Sequence, residues 1–339
     1  MAVGVSKQAT MIDVARKAGV SYQTVSRVIN DHPNVAPKTR ERILQAIHEL
    51  NYRPNVAARN LVTRRSNTVG IISYGTNYFG PGQMLTNIEA SLRERGYALT
   101  LSTLTELNRD GLLAAIRELR GRSVDGIVMI TPILQVDPAE IRSLWGNLPF
   151  VMIDIPLGTR VPSVVIDQRH GGVLAARHLL ELGHSRIAEI TGPRDWTGAA
   201  LRHEGMLAAL AEAGLAPAMS VEGDWSAESG YRAAGRLLDS GTEFSAMFVS
   251  NDQMALGAIR ALRERGSCVP EDISIVGFDN LPESAYFEPP LTTVRQDFVS
   301  LGRESAEYLS DLIEHHPTPR QQRVLRPELI VRLSTRRWG

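Results

Sequence analysis

The chain has 339 residues, 43% hydrophobic and 22% charged, with 37 Lys+Arg balanced by 37 Asp+Glu. That length allows two or three domains with sizeable cores, and the balance excludes a disordered, collagen-like or membrane-embedded chain. A single cysteine, Cys268, excludes an internal disulfide, and no run of 18 apolar residues or charged-then-apolar leader is present, so a cytoplasmic location is expected.

Overall neutrality conceals an asymmetry. Residues 1–66 carry 11 Lys+Arg against 4 Asp+Glu, a net of +7, which leaves −7 on the remainder. A basic end on an acidic body fits nucleic-acid binding at that end. Thr10 with Asp13 reads as a capping box. Ile12, Val14, Ala15 and Ala18 give the first helix its apolar side, and Gly19 ends it. Ser21 caps a second helix in which Val25, Val28 and Ile29 share one face at 3.6-residue spacing. Tyr22, Gln23, Ser26, Arg27 and Asn30 share the other. Gln, Arg and Asn pair bidentately with base edges, and Tyr and Ser suit base and phosphate contacts, so the segment reads as a helix-turn-helix with an outward recognition face. A small three-helix cap with a solvated face is the plainer alternative. A third helix, Pro37 to Leu50, closes the small core with Ile43, Leu44, Ile47 and Leu50. Asn55 to Val62 is either a short hinge helix, too short to persist alone, or a plain linker.

From Thr68 the pattern becomes short apolar strands alternating with amphipathic helices. The spacing predicts strands at Val69–Ser73, Ala98–Ser102, Gly126–Ile130, Phe150–Asp154, Val164–Asp167, Ile187–Thr191, Ala246–Ser250, Ile273–Phe278 and Val324–Leu333. It predicts helices at Gln83–Arg95, Gly111–Arg120, Gly171–Leu182, Ala199–Ala213, Ala227–Asp239, Gln253–Arg265 and Leu301–Glu314. Gly96, Gly183, Gly214, Gly241 and Gly266 stand at helix stops. The alternation implies an α/β fold of doubly wound parallel sheets, and about 270 residues of it exceed one sheet. Two lobes follow, with a cleft beyond the carboxyl ends of the strands.

Ser21-Tyr-Gln-Thr-Val-Ser-Arg-Val28, Leu50-Asn-Tyr-Arg-Pro-Asn55, Gly223-Asp-Trp-Ser226, Asn251-Asp-Gln-Met-Ala-Leu-Gly-Ala258, Pro289-Pro-Leu-Thr-Thr293 and Gln296-Asp-Phe298 together resemble the LacI family of bacterial transcription regulators, and its lac-type branch in particular. The resemblance covers essentially the whole chain. It implies a headpiece over 1–53, a hinge helix and linker over 54–66, and a core like the periplasmic sugar-binding proteins over 67–339. One lobe would hold about 67–166 and 298–325, the other about 167–294 and 326–339, with crossings near Asp167, Val294 and Arg326.

By the same resemblance, Tyr22, Gln23 and Arg27 read bases, with Arg27 suited to guanine. Ser21, Ser26, Asn30, Thr39 and Asn55 contact phosphates, and Leu61 wedges into the minor groove. Paired hinge helices require a homodimer and a near-palindromic, lac-like operator. For a sugar effector, Arg202, Asn251 and Asp279 resemble the hydroxyl-binding set, Asp154 adds a carboxylate, Trp225 offers a stacking face, and Gln296 and Phe298 form the floor. Asp154, Asp279 and Asn251 each follow a strand, where a turn or helix cap is the ordinary use of such residues. Tyr74, Asp167 and Trp196 depart from the lac-type choices, so the pocket is narrower or takes another sugar, with a galactoside the first expectation. The last residues, Arg336-Arg-Trp-Gly339, show no heptad run of the kind that joins dimers into tetramers, so a dimer is expected. Its interface would come from the helices at Gln83–Arg95 and Gly111–Arg120, which could equally just cover the sheet.

No cofactor or metal is implied. A transport protein would carry a leader and no basic headpiece. An enzyme would need a phosphate loop, nucleophile elbow or zinc-like spacing, none of which occurs, although Asp154 and Asp279 could pose as paired carboxylates. The reading is a repressor released by a sugar, with a regulator of another sugar or a co-repressor-type member as the alternatives.

Overall fold

The computed structural model describes residues 9–29, 32–53, 65–106, 108–131, 145–315 and 321–339. The chain divides into two units, 1–66 and 67–339. In the first, helix α1 (Met11–Ala18) opens on Thr10, whose hydroxyl accepts from the Asp13 amide while the Asp13 carboxylate accepts from the Thr10 amide. Gly19 ends α1 at φ +62°, a left-handed turn that costs glycine nothing. Helix α2 (Tyr22–Ile29) follows, and α3 (Pro37–Glu49) starts on its proline.

The small core joins Val14, Ala15, Ala18, Val25, Val28, Ile43 and Ala46, with Tyr52 closing it from beyond α3. Two expected core residues are outside it. Ile12 is 59% exposed and Leu44 52% exposed. Leu44 lies one position, about 100° of helix, from Ile43, and only the Ile43–Ala46 face meets the other helices.

Among its described residues the second unit contains two six-stranded sheets. In the first sheet β1 (Thr68–Tyr74) lies between β2 (Ala98–Leu104) and β3 (Gly126–Ile130), followed by β4 (Phe150–Ile153), β5 (Ser163–Ile166) and β11 (Gln322–Leu325), all parallel. The second sheet runs β7 (Ser220–Glu222), β6 (Ile187–Thr191), β8 (Ala246–Val249), β9 (Ser274–Asp279), β10 (Thr292–Arg295), β12 (Glu328–Ile330), with only β12 antiparallel. Helices α4 (Phe79–Glu94) and α10 (Phe298–Ile313) bury Met84, Ile88, Leu92, Leu301 and Leu309 on one face of the first sheet, and α5 (Arg109–Gly121) covers the other. Helices α6 (Gln168–Glu181) and α7 (Thr197–Glu212) cover one face of the second sheet, α8 (Ala227–Asp239) and α9 (Asp252–Glu264) the other.

The chain passes between the sheets after β5, between β10 and α10, and between β11 and β12. The strand expected over Val324–Leu333 is therefore two strands in different sheets. Pro327, without an amide hydrogen and with φ fixed, stands at the break. The strands β7 and β10 went unpredicted, and β7, three residues long, is too short to show a period.

The helix pairs pack at backbone distance. A Cβ at Gly172 would overlap the carbonyl oxygen of Arg202, and one at Gly205 would overlap that of Arg169, so α6 and α7 are locked by reciprocal glycines.

Candidate functional site

On α2, Val25 and Val28 are buried while Tyr22, Gln23 and Arg27 are exposed and Ser26 is half-buried, so the predicted polar face is turned outward. The Ser21 hydroxyl accepts from the Thr24 amide at 3.2 Å and starts the helix. Thr39 is half-buried in the first turn of α3. Asn30, Asn55 and Leu61 lie outside the described residues, as does the expected hinge helix.

In the second unit a cavity containing about 440 Å³ of unfilled space, part of it open to solvent, lies at the carboxyl ends of the strands. Arg202 on α7, buried, is its centre. Its Nε donates to Gln168 Oε1 at 2.9 Å, one terminal nitrogen donates to the Ser250 carbonyl, and the other lies 3.5 Å from Asp279 Oδ1. The guanidinium carbon sits 3.8 Å above the centre of the Phe278 ring, which fixes its plane. Of five guanidinium N–H groups, two remain without an acceptor among the described residues, one on each terminal nitrogen. That spare fork matches a pair of neighbouring hydroxyls.

Gln296 Nε2 donates to Asp279 Oδ1 at 2.6 Å, and Gln168 Nε2 donates to Gln296 Oε1 at 2.7 Å. Arg202, Gln168, Gln296 and Asp279 thus form a closed ring of buried polar groups. Asp154, beyond the end of β4, faces Arg202 from the first lobe; its carboxylate has no hydrogen bond among the described residues. It stands against Gly198 in the first turn of α7, where the helix end favours negative charge. Burial pushes both Asp279 and Asp154 up to about 6, against the pull of Arg202. Burial also draws Arg202 below its ordinary value, opposed by Asp279 and Asp154.

Trp225 and Trp196 line the cavity, 5.6 Å between ring centres and 64° apart, and Tyr78 meets Trp196 edge-on at 5.1 Å. Gly192 leaves room for the Trp225 ring, which a Cβ would overlap. The Trp225 indole N–H has no partner among the described residues. Among the described non-glycine residues eight have a left-handed φ, and four of them, Asp154, Trp225, Asp279 and Asn280, belong to this region. Behind it, buried Asp252 accepts from the Leu281 amide at 2.8 Å and from the Thr293 hydroxyl at 2.6 Å, holding the turn after β9. Burial pushes Asp252 up to about 8.

The structure gathers Asp154, Trp196, Arg202, Trp225, Asn251, Asp279 and Gln296 around one cavity and places two expected residues elsewhere. Phe298 begins α10 and packs against Phe79 in the core of the first sheet, 6.0 Å between ring centres, rather than on the cavity floor. Tyr74 stands against Trp196, 6.0 Å away, and does not reach the lining. Asn251 caps α9 through Met254 N at 2.8 Å and donates to the Trp225 carbonyl at 3.0 Å, so it holds the wall together. Asp167 caps α6 through His170 N. Gln168 and Tyr78 went unnoticed. Their only signals were a position just past the first crossing and an aromatic pair, Tyr78-Phe79, ahead of a helix after the first strand.

Residues 10–55 match the family described as bacterial regulatory proteins, lacI family, and residues 176–335 match a periplasmic binding protein-like domain. The chain is 37% identical over 306 residues to the lactose operon repressor of Escherichia coli (strain K12), covering 90% of this chain and 85% of that protein. It is 37% identical over 337 residues to the transcriptional repressor PurR of Haemophilus influenzae (strain PittEE), covering 97% and 99%. A lac repressor dimer bound to operator and the anti-inducer ONPF superposes with a TM-score of 0.91 at 35% identity, over 97% of this chain and all of that one. A complex of the regulator CelR with cellobiose gives 0.70 at 34% identity, over 96% and 100%. Among the described residues no helix is long and apolar enough to cross a membrane. With a headpiece, a two-sheet core and whole-length relatives that are transcriptional repressors rather than enzymes, the chain belongs to the LacI family of bacterial regulatory proteins.

Proposed function

We propose that the protein is a cytoplasmic repressor that binds a near-palindromic, lac-like operator as a homodimer and leaves it when a β-galactoside occupies the cleft. The spare N–H pair of Arg202, set between the carboxylates of Asp154 and Asp279 and beside the Trp225 ring, carries this reading. Vicinal hydroxyls donate to the carboxylates and accept from the fork, while the C–H face of a pyranose lies on the indole. In the headpiece, Tyr22, Gln23 and Arg27 read base edges, Ser21, Ser26, Asn30, Thr39 and Asn55 hold phosphates, and Leu61 opens the minor groove. Sugar shifts the population toward a lobe arrangement that does not pair the hinges, and reciprocity requires operator to weaken sugar binding by the same factor.

The test is fluorescence anisotropy of a labelled lac-type palindromic duplex titrated with the protein, with and without lactose. Salt-sensitive binding that weakens with lactose supports the reading, and binding that lactose leaves unchanged overturns the galactoside. The aromatic wall of Tyr78 and Trp196 favours a second reading, a β-glucoside such as cellobiose, which the same titration run with cellobiose in place of lactose decides. Tighter operator binding with sugar would instead make the ligand a co-repressor.

A further inference from the structure

Two of the three passages between the sheets hold a glutamine each, and those glutamines touch. Gln168 stands immediately past the crossing after β5, and Gln296 lies in the crossing between β10 and α10. Their amides meet at 2.7 Å, and both side chains are buried. The direction of that bond is forced from both ends. Arg202 Nε can only donate, so Gln168 must turn Oε1 toward it and Nε2 toward Gln296. Ionised Asp279 can only accept, so Gln296 must turn Nε2 toward it and Oε1 toward Gln168. The two groups proposed to bind the sugar therefore set the orientation of the amides that tie two crossings together.

The backbone reinforces this. Gly172 on α6 lets the helix approach α7 at Arg202 itself, so Gln168, at the start of α6, and Arg202 move as one body. Gln296 follows directly after β10, which pairs with β9 where it ends in Asp279. A sugar held by the spare N–H groups of Arg202 and by Asp279 therefore bears on two members of the ring, and a change of lobe angle would pass through the crossings that the ring ties together.

We propose that the Gln168–Gln296 amide bridge couples effector occupancy to the lobe crossings, with Gln168 a positioning residue that holds Arg202 and ties the first crossing to the second. This rests on the effector reading above, and regulation of the same site is what it adds. Coupling of this kind requires a second, unbridged arrangement beside the bridged one.

The experiment uses Gln168→Met and Gln296→Met in the full chain, singly and together. Hydrogen–deuterium exchange without any sugar is the first readout. Gln168→Met should speed exchange about tenfold around residues 296–300, on the other crossing, and Gln296→Met should do so around 167–172, as expected for loss of one buried hydrogen bond. At each crossing the double variant should match the single substitution made on that same crossing, because the bridge that carries the effect of the distant one is already gone. Unchanged exchange on the opposite crossing, or additive effects, overturns the proposal even if sugar binding suffers.

The second readout is operator affinity with and without saturating lactose, or cellobiose where lactose fails. Wild type should show a coupling of about 5- to 150-fold, and Gln168→Met should reduce that ratio at least about fivefold while sugar still binds. A weaker sugar affinity with an unchanged ratio makes Gln168 a lining residue only and refutes the coupling role. A wild type that binds operator and ignores both sugars refutes the effector reading instead, and the exchange experiment then decides the bridge alone.

Discussion

Arg202→Lys isolates the geometry of the cleft from its charge. The substitution keeps a cation beside Asp279 and Asp154, so the buried carboxylates stay compensated. It removes the planar fork and the stacking on Phe278 at 3.8 Å. Arginine uses three N–H groups on Gln168, Ser250 and Asp279 and keeps two for ligand. An ammonium has three donors in all, and the same three protein acceptors claim them. At least one charge-assisted bond to a sugar hydroxyl is therefore lost, about 1.5–3 kcal/mol, which weakens sugar binding about 10- to 150-fold. Trp196 and Trp225 border the site, so quenching of intrinsic fluorescence during a lactose titration reads the affinity directly, and thermal unfolding checks that the fold is intact. An affinity within about threefold of wild type would refute the role of the guanidinium fork in sugar binding.

Four further outcomes are expected. Sugar affinity should rise from pH 5 to pH 7 and level off above, because hydroxyls donate to the ionised forms of Asp154 and Asp279, which sit at about 6; calorimetry showing a flat profile would contradict this. Asp252 sits at about 8, far above its unfolded value, so the folded state retains a proton the unfolded chain has lost, and stability falls as pH rises from about 4 to 8. Asp252→Asn should therefore gain melting temperature on wild type as pH goes from 5 to 9, and parallel curves would refute the buried-proton account. Gly192→Ala should displace the Trp225 ring and weaken sugar binding about tenfold or more while operator binding without sugar persists. Arg27→Ala should cost about 1–3 kcal/mol on the cognate operator and little on scrambled duplex, and an equal loss on both would make Arg27 a phosphate contact.

Much of this architecture was legible because it depends on local chemistry. The capping box at Thr10 and Asp13, the left-handed glycines after the helices and the alternation of short strands with helices are all written within a few residues of where they act. Asp154, Arg202, Asp279 and Gln296 were legible only through family resemblance, since an acid after a strand reads equally as a cap. Asn251 is in fact such a cap as well as part of the wall. What escaped depends on distant partners. Gln168 owes its role to a residue 128 positions away. The break at Pro327 separates two strands whose neighbours belong to different sheets, and no period within residues 324–333 records it. Ile12 and Leu44 are apolar by composition and solvent-facing by helical phase. Phe298 carries the right motif, but its ring turns into the first lobe.

The left-handed residues around the cleft bear on how such a protein can change. Asp154, Trp225, Asp279 and Asn280 hold left-handed backbone angles, at a cost of roughly 1–2 kcal/mol for Trp225 and less for the Asp and Asn residues. Glycine at any of them would relieve that strain, and a selection for heat resistance alone would find those substitutions early. On the proposed effector reading, each would erase a ligand group, its carbonyl direction or the wall behind it. Robustness and sensing thus draw on the same four positions, and a hardier descendant of this chain would be one that holds its operator and no longer hears the sugar.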